Sequence, residues 1–322
     1  MKYSFVLPAY KATFLRESID SILNQTYKDF ELIIVNDASP EDLTTIVNSY
    51  CDVRIQYYIN EKNIGGSDLV AQWNHCITYA QGDYLILASD DDVYHFDYLE
   101  KMDVLINRYP YVDVFRPRVR QMNANGSAIE ETEILPEFLL YIDFLYFRYK
   151  AHVSSGIPFY IFKRDTLVDV GGFVNFPSAW ISDDATVIRL ARNGVVSHNE
   201  VLFSFRMSGL NISSRINNSK MLYDKLRAQE CYFRWYEHEL KSIPATQIED
   251  KEKIALILTE LTKSNKLDYM AALVKASDKR SILSCWLILR KIESLNIFDC
   301  IIICAKVYKR IAMNKFRNIF SR

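Results

Sequence analysis

Three groups of aspartates could do chemistry. Asp90-Asp91-Asp92 follows the apolar run Tyr84 to Ala88 without a break. Adjacent carboxylates repel one another, which raises their pKa values and costs stability unless a positive charge sits among them. A divalent cation would supply that charge. Oxygen-only ligands favour Mg2+ or Mn2+, ions that also hold diphosphates. Alternate strand residues point to opposite sides, so Asp91 can face a metal, with Asp92 as a further ligand, while Asp90 faces the sugar of a nucleotide. The competing reading is a solvated acidic turn that caps the helix near Tyr98. Ser182-Asp183-Asp184 opens an apolar-periodic stretch carrying Val187, Ile188 and Leu190. A carboxylate there is stabilised by the helix dipole, and it becomes a general base only if the fold sets it opposite the metal. Asp37, just beyond Phe30 to Val35, either caps the next helix or accepts a hydrogen bond from a base N–H or a ribose hydroxyl.

The surrounding pattern alternates strand and helix. Tyr3 to Leu7 reads as a buried strand closed by Pro8, Phe30 to Val35 as a second, Arg54 to Ile59 as a short one and Tyr84 to Ala88 as a third buried one. Helical spacing appears at Leu15, Ile19, Ile22 and Leu23, over Glu41 to Tyr50, and from Leu69 to Ala80, with Ser67 as the expected N-cap. Strands and helices alternating at this spacing predict an α/β fold, a Rossmann-like, doubly wound and mostly parallel sheet, in which ligands gather at the carboxyl ends of the strands. Further on, Val112 to Phe115 and Tyr160 to Lys163 read as strands, Asn123 to Gly126 and Gly171-Gly172 as turns, and Glu137 to Tyr149 and Asp183 to Asn193 as helices. The aromatics Phe138 to Tyr149 and Trp180 read mostly as core, with stacking on a sugar as the alternative. From about Asn218 the pattern turns to helices alone, in a stretch of more than 100 residues without glycine. The expected division is a catalytic domain over 1–215 and a helical region over 216–322.

Composition narrows the function. The chain has 322 residues, 49% hydrophobic and 25% charged, an ordinary globular mix. Lys and Arg total 39 against 40 Asp and Glu, so no overall charge draws it to nucleic acid. Six cysteines lie far apart without zinc spacing, and the five histidines share no ligand spacing. No run approaches the roughly 18 apolar residues of a membrane span, and no signal peptide is evident, which together predict a cytoplasmic protein. The last 21 residues, from Ile302, contain Lys306, Lys309, Arg310, Lys315, Arg317 and Arg322 and no acid, interleaved with Val307, Ile311, Phe316, Ile319 and Phe320. Such a segment either lies on an anionic membrane surface or packs its apolar side on its own domain.

The order of the motifs resembles a known family. Val6 to Tyr10, Leu32 to Ser39 and Asn63-Ile64-Gly65 look like the start of a family 2 glycosyltransferase with the GT-A fold. Gly82 to Asp92 is similar to that family's strand and DxD signature, and Asp97 to Glu100 continues it. Gly171-Gly172-Phe173, Asp183 to Gly194, and Phe205-Arg206 with Ser213 resemble its later elements. The resemblance covers about Lys2 to Ser214. It implies that Pro8, Ala9 and Tyr10 line the base of a nucleotide, that Asp37 bonds that base (uracil or thymine), and that Asn63 belongs to the same nucleotide site. Asp90 would face the ribose or sugar and Asp91 would ligate the metal. Asp183 would be the catalytic base with Asp184 its neighbour, roles that a one-residue slip would exchange. Arg206 would help to neutralise the leaving diphosphate. Ser89 stands where the signature usually starts with Asp, Ser182 where a Glu is usual, and Trp73 where an Arg is common.

The implied reaction is an inverting, metal-dependent transfer of a sugar from a nucleotide diphosphate donor, a UDP-sugar by expectation, to a hydroxyl of a saccharide or lipid-linked saccharide, in surface polysaccharide synthesis at the inner face of the membrane. One base and no enzyme nucleophile means single displacement. The alternative is a catalytically inactive nucleotide-sugar-binding protein of the same fold, which Ser89 and Ser182 favour. A nucleotidyltransferase would carry a Gly-rich basic loop near the first strand, and Pro8-Ala9-Tyr10-Lys11 is not one.

Overall fold

The computed structural model describes residues 1–150, 154–209, 218–242, 251–260, 262–277 and 282–307. It divides into two compact units, Met1–Asn175 with Ser182–Leu210, and Phe176–Ile181 with Asn211–Arg322.

The first unit is built on a ten-stranded sheet. Its strands are β1 (Tyr3–Ala9), β2 (Phe30–Asn36), β3 (Ile55–Ile59), β4 (Tyr84–Leu87), β5 (Val93–Tyr94), β6 (Val114–Asn123), β7 (Ala128–Glu131), β8 (Phe138–Leu139), β9 (Ile161–Lys163) and β10 (Val195–Met207). Helices α1 (Leu15–Leu23), α2 (Leu43–Val47), α3 (Leu69–Cys76), α4 (Tyr98–Arg108), α5 (Tyr141–Lys150), α6 (Arg164–Asp169) and α7 (Ser182–Leu190) connect them. The order is β3-β2-β1-β4-β9-β6-β10-β5, with β7 beside β6 and β8 beside β10. The expected α/β sheet is present. It is parallel through β3, β2, β1 and β4 and mixed beyond them, where β9 runs antiparallel to β4 and β6 while β10 runs parallel to β6.

Several boundaries differ from the sequence reading for identifiable reasons. Pro8 lies inside β1, paired with Val35, instead of closing it. Val6 accepts from the Ala88 N–H on the β4 side and Ala9 from the Asp37 N–H on the β2 side. Backbone groups alternate between neighbours in a parallel strand, so the missing N–H of Pro8 falls on the β4 side, where that strand has already ended. Asp68, not Ser67, caps α3, its side chain accepting from the Ala71 N–H. Helix α2 is shorter than expected because Asp42 caps it from inside the predicted range. Strand β6 runs ten residues, its polar look coming from Arg116, which is 1% exposed and lies over the Tyr160 ring. The long β10 has no clean alternation, since Ser197 to Glu200 interrupt it and its register shifts there.

The glycine turn has a packing cause. Gly172 has φ 83°, and a Cβ there would stand 2.3 Å from Asn74 Oδ1, which accepts from the Phe173 N–H at 2.8 Å. The turn therefore closes directly on α3.

In the second unit, α8 (Ser219–Lys241), α9 (Lys251–Glu260), α10 (Lys263–Ala276) and α11 (Ile282–Leu289) are followed by further helix at 297–307. Leu222, Leu226, Met270, Val274, Leu289 and Ile303 are among the residues of its core. Trp180 belongs to this unit, with the Lys225 ammonium 4.1 Å from its ring centre. The basic segment from residue 308 onward lies outside the described residues.

Candidate active site

The sheet order decides where a ligand fits. From β1 the chain moves to β2 and β3 on one side, then crosses to β4 on the other. The crevice between β1 and β4 at their carboxyl ends is thus a topological switch point, the usual ligand position in such sheets. Asp90 spans it, its Oδ2 accepting from the Tyr10 N–H at 2.9 Å and the Lys11 N–H at 2.8 Å. Burial is the main influence that raises its pKa, against those two donors.

The acids at 90–92 lie past the end of β4, in an irregular loop, so strand alternation does not orient them. Their neighbours do. Asp92 is fully buried, its Oδ1 accepting from the Arg206 N–H at 2.8 Å and its Oδ2 contacting the Ser89 hydroxyl. Burial first, and then the charge of Asp91, push its pKa well above the carboxylate range. Asp91 lies beside it, its Oδ1 3.1 Å from the Ser89 hydroxyl and its Oδ2 3.5 Å from that of Ser208. Ser89 therefore braces the two acids that follow it.

Arg206 reaches this loop from β10 and is 1% exposed. Its Nε donates to the Asp91 carbonyl at 2.8 Å, its Nη1 to the Ala124 carbonyl at 3.0 Å, and its Nη2 pairs with Glu17 at 2.7 Å. The guanidinium also covers the Phe14 ring at 4.3 Å. These contacts tie the acidic loop to α1 and to the β6–β7 turn.

Among the described residues, no three His, Cys, Asp or Glu side chains converge on one point. The donor set fits a cation held by Asp91 and otherwise by diphosphate and water oxygens, the habit of Mg2+. Asp92, with both oxygens engaged, fits a bracing position better than a coordinating one.

On the other flank of β1, Asp37 is also engaged. Its Oδ1 accepts from the Asn60 amide and the Ile64 N–H, both at 2.8 Å, and its Oδ2 from the Gly65 N–H at 2.7 Å. Asn63 contacts the Gly66 N–H through its own side chain. Pro8 is partly exposed, Ala9 is fully buried, and Tyr10 is 40% exposed. Replacing Asp37 by Ala should lower stability by about 1–2 kcal/mol, because three partly buried N–H donors lose their acceptor. Urea denaturation checks this. Unchanged stability with weakened nucleotide binding would instead put Asp37 on the base.

Asp183 and Asp184 form a second cluster at the start of α7. The chain enters it through Ser178, Ala179 and Ile181, all with positive φ. Arg148 of α5 grips Asp184 through two hydrogen bonds, Nε to Oδ1 at 2.8 Å and Nη2 to Oδ2 at 2.6 Å. Asp184 is 7% exposed, whereas Asp183 keeps more of its surface open. Burial, and next the neighbouring charge of Asp184, push the Asp183 pKa up to about 6. The two neighbouring acids thus have different surroundings, one held by Arg148 and the other not in that pair. Arg148, Glu17, Asn60 and Ser208 all join these clusters, and no motif in the sequence singles them out. Of the aromatics before Arg148, Tyr141 and Phe144 lie in the core and Phe138 is stacked on Tyr109.

Known proteins resemble this chain in sequence and fold. The model of the family described as glycosyl transferase family 2 matches residues 4–165. An uncharacterized glycosyltransferase of Rickettsia typhi is 38% identical over 112 residues, 34% of each chain. One from Rickettsia felis is 28% identical over 281 residues, 84% of this chain and 44% of its own. These matches thus span between a third and a half of those relatives' lengths. The putative teichuronic acid biosynthesis glycosyltransferase TuaG of Bacillus subtilis is 28% identical over 218 residues, 66% of this chain and 81% of its own. Among solved structures, S. aureus TarS in complex with UDP-GlcNAc superposes with a TM-score of 0.66 at 16% identity, covering 98% of this chain and 92% of that one. A crevice at the β1–β4 switch point, an acidic loop beyond β4 and a family match over half the chain lead to one assignment: the chain belongs to glycosyl transferase family 2.

Proposed function

We propose that this chain transfers a sugar from a UDP-sugar to a hydroxyl of a saccharide or lipid-linked saccharide, with inversion, in surface polysaccharide synthesis at the inner face of the membrane. One observation carries the reading: Asp183 is a carboxylate whose pKa is raised, beside a partner acid that Arg148 holds through two hydrogen bonds. A base of that kind suits removal of the acceptor proton. The donor assignment is supported by the UDP-GlcNAc complex of TarS, and the pathway by the name of TuaG. The mannosyltransferase PcManGT of Pyrobaculum calidifontis, in complex with GDP-Man and Mn2+, has a TM-score of 0.50 to this chain, covering 85% of each.

In this reading Asp90 holds the β1 loop against the nucleotide, and Tyr10 offers its exposed ring to the base. Asp91 would hold Mg2+ or Mn2+, which when bound supplies Lewis-acid stabilisation of the charge growing on the diphosphate. Asp183 accepts the acceptor proton as the anomeric bond breaks, and no side chain forms a covalent bond to the sugar. The site stays within one unit, and no described helix is long and apolar enough to cross a membrane.

A thermal-shift panel tests the donor. At a hundredfold excess over Kd, the right UDP-sugar with Mn2+ should stabilise the protein by about 2.7 kcal/mol, a rise of several degrees in Tm. Indifference to every nucleotide sugar, with and without Mn2+, would remove the transferase reading. A shift without any donor hydrolysis would leave the inactive binder.

A further inference from the structure

The helix at 297–307 is apolar on both sides. Its inner residues Cys300, Ile303 and Val307 join the core of the second unit. Its outward positions carry Ile297, Phe298, Ile301 and Ile302, which are 51%, 75%, 49% and 40% exposed, with Ala305 exposed after them. They form two i,i+4 pairs, Ile297 with Ile301 and Phe298 with Ile302, so they lie on one face. The helix's acid, Asp299, is buried and caps the turn with Asn296. Its lysine, Lys306, pairs with Asp268. Neighbouring α11 repeats the arrangement, with Cys285, Ile288 and Leu289 inward and Leu283 and Leu287 outward at 66% and 56% exposure. A surface helix of a water-soluble protein normally turns its polar face outward, and a run of exposed large apolar side chains marks a binding surface.

Charge identifies what covers it. After Asp299 the sequence has no acid, and beyond the paired Lys306 it carries Lys309, Arg310, Lys315, Arg317 and Arg322. An anionic surface with an apolar interior satisfies both features. We propose that the outward faces of α11 and the 297–307 helix lie on an anionic lipid bilayer, the large apolar residues sunk at the headgroup boundary. No described helix is long and apolar enough to cross the bilayer, which fits contact along its surface. The inference deepens the proposed lipid-linked acceptor, but it rests on this face and its charge, not on the chemistry of transfer.

Sedimentation of the full chain with vesicles tests it, using phosphatidylcholine alone and phosphatidylcholine mixed with phosphatidylglycerol. Wild type should bind the anionic vesicles and be released by high salt. The double variant Phe298→Ser/Ile302→Ser should lower the bound fraction about tenfold, as should Leu283→Gln/Leu287→Gln, each with an unchanged thermal melt and unchanged UDP-sugar hydrolysis. Failure of wild type to prefer anionic vesicles would overturn the proposal. So would full binding by both double variants, or a dimer in analytical ultracentrifugation that Phe298→Ser/Ile302→Ser dissolves. Absence of donor hydrolysis with vesicle binding intact would count against the transferase reading alone.

Discussion

Asp183→Asn should lower kcat by about 10²-fold or more while leaving UDP-sugar affinity almost unchanged. The amide keeps the shape of the carboxylate but cannot take a proton. The substitution therefore removes an interaction that matters only as the acceptor hydroxyl attacks. The pH profile should carry the same signature. The group must be ionised to act, and its pKa is raised from 3.8 to about 6. The rate should therefore fall below about pH 6 and stand roughly tenfold under its plateau at pH 5. An ordinary carboxylate would still be mostly ionised there. Single-turnover kinetics with titrated donor separates binding from transfer. Equal loss of both in Asp183→Asn would move this residue to the donor site, and an acidic limb near pH 4 would remove it as the base. Asp184→Asn offers the contrast: it leaves the Arg148 guanidinium without its carboxylate partner, so the expected damage is to stability first.

Arg206→Met should destabilise the first unit by about 3 kcal/mol or more. The buried guanidinium serves two backbone carbonyls, one carboxylate and an aromatic face, and the thioether replaces none of the donors. Glu17 is half-exposed, so the ion pair itself is worth little. Glu17→Gln should therefore cost less than about 1 kcal/mol. The large effect comes from removing a buried guanidinium that bonds the Asp91 carbonyl and fills the space over Phe14. Lysine should rescue poorly, because a single ammonium cannot reproduce the fork. Chemical denaturation of the three variants checks the order. A loss under about 1 kcal/mol for Arg206→Met would mean that the loop finds other donors. Full stability with weakened donor binding would place Arg206 on the diphosphate, as the family resemblance implied.

The half of the sheet that carries the crevice could be read from the residues, because β1, β2 and β4 are short, continuous apolar runs ended by turn residues. The other half could not. Strand β6 hides a buried Arg116 among charges that look solvated, and β10 crosses a polar stretch at its register shifts. The same limit applies to the site. Clustered acids announce themselves, but the partners that define each acid's character come from distant segments. Arg148 sits in an aromatic helix and Arg206 in an unrecognised strand, so nothing local connects them to Asp184 or Asp92. The different surroundings of Asp183 and Asp184 emerge only once Arg148 is seen to hold one of them. Ser89, which reads as a missing acid in the family signature, proves in three dimensions to be a brace between two others.

The bond from the Arg206 backbone to Asp92 spans 114 positions of sequence. During translation the crevice-forming strands leave the ribosome long before β10 does. At about 5–20 residues per second, the acidic loop waits on the order of 6 to 23 s for its clasp. A nascent chain caught in that interval would own the parallel half of the sheet yet leave Asp92 without its Arg206 donor. The ability to grip a nucleotide sugar should then arrive late, with the final strand.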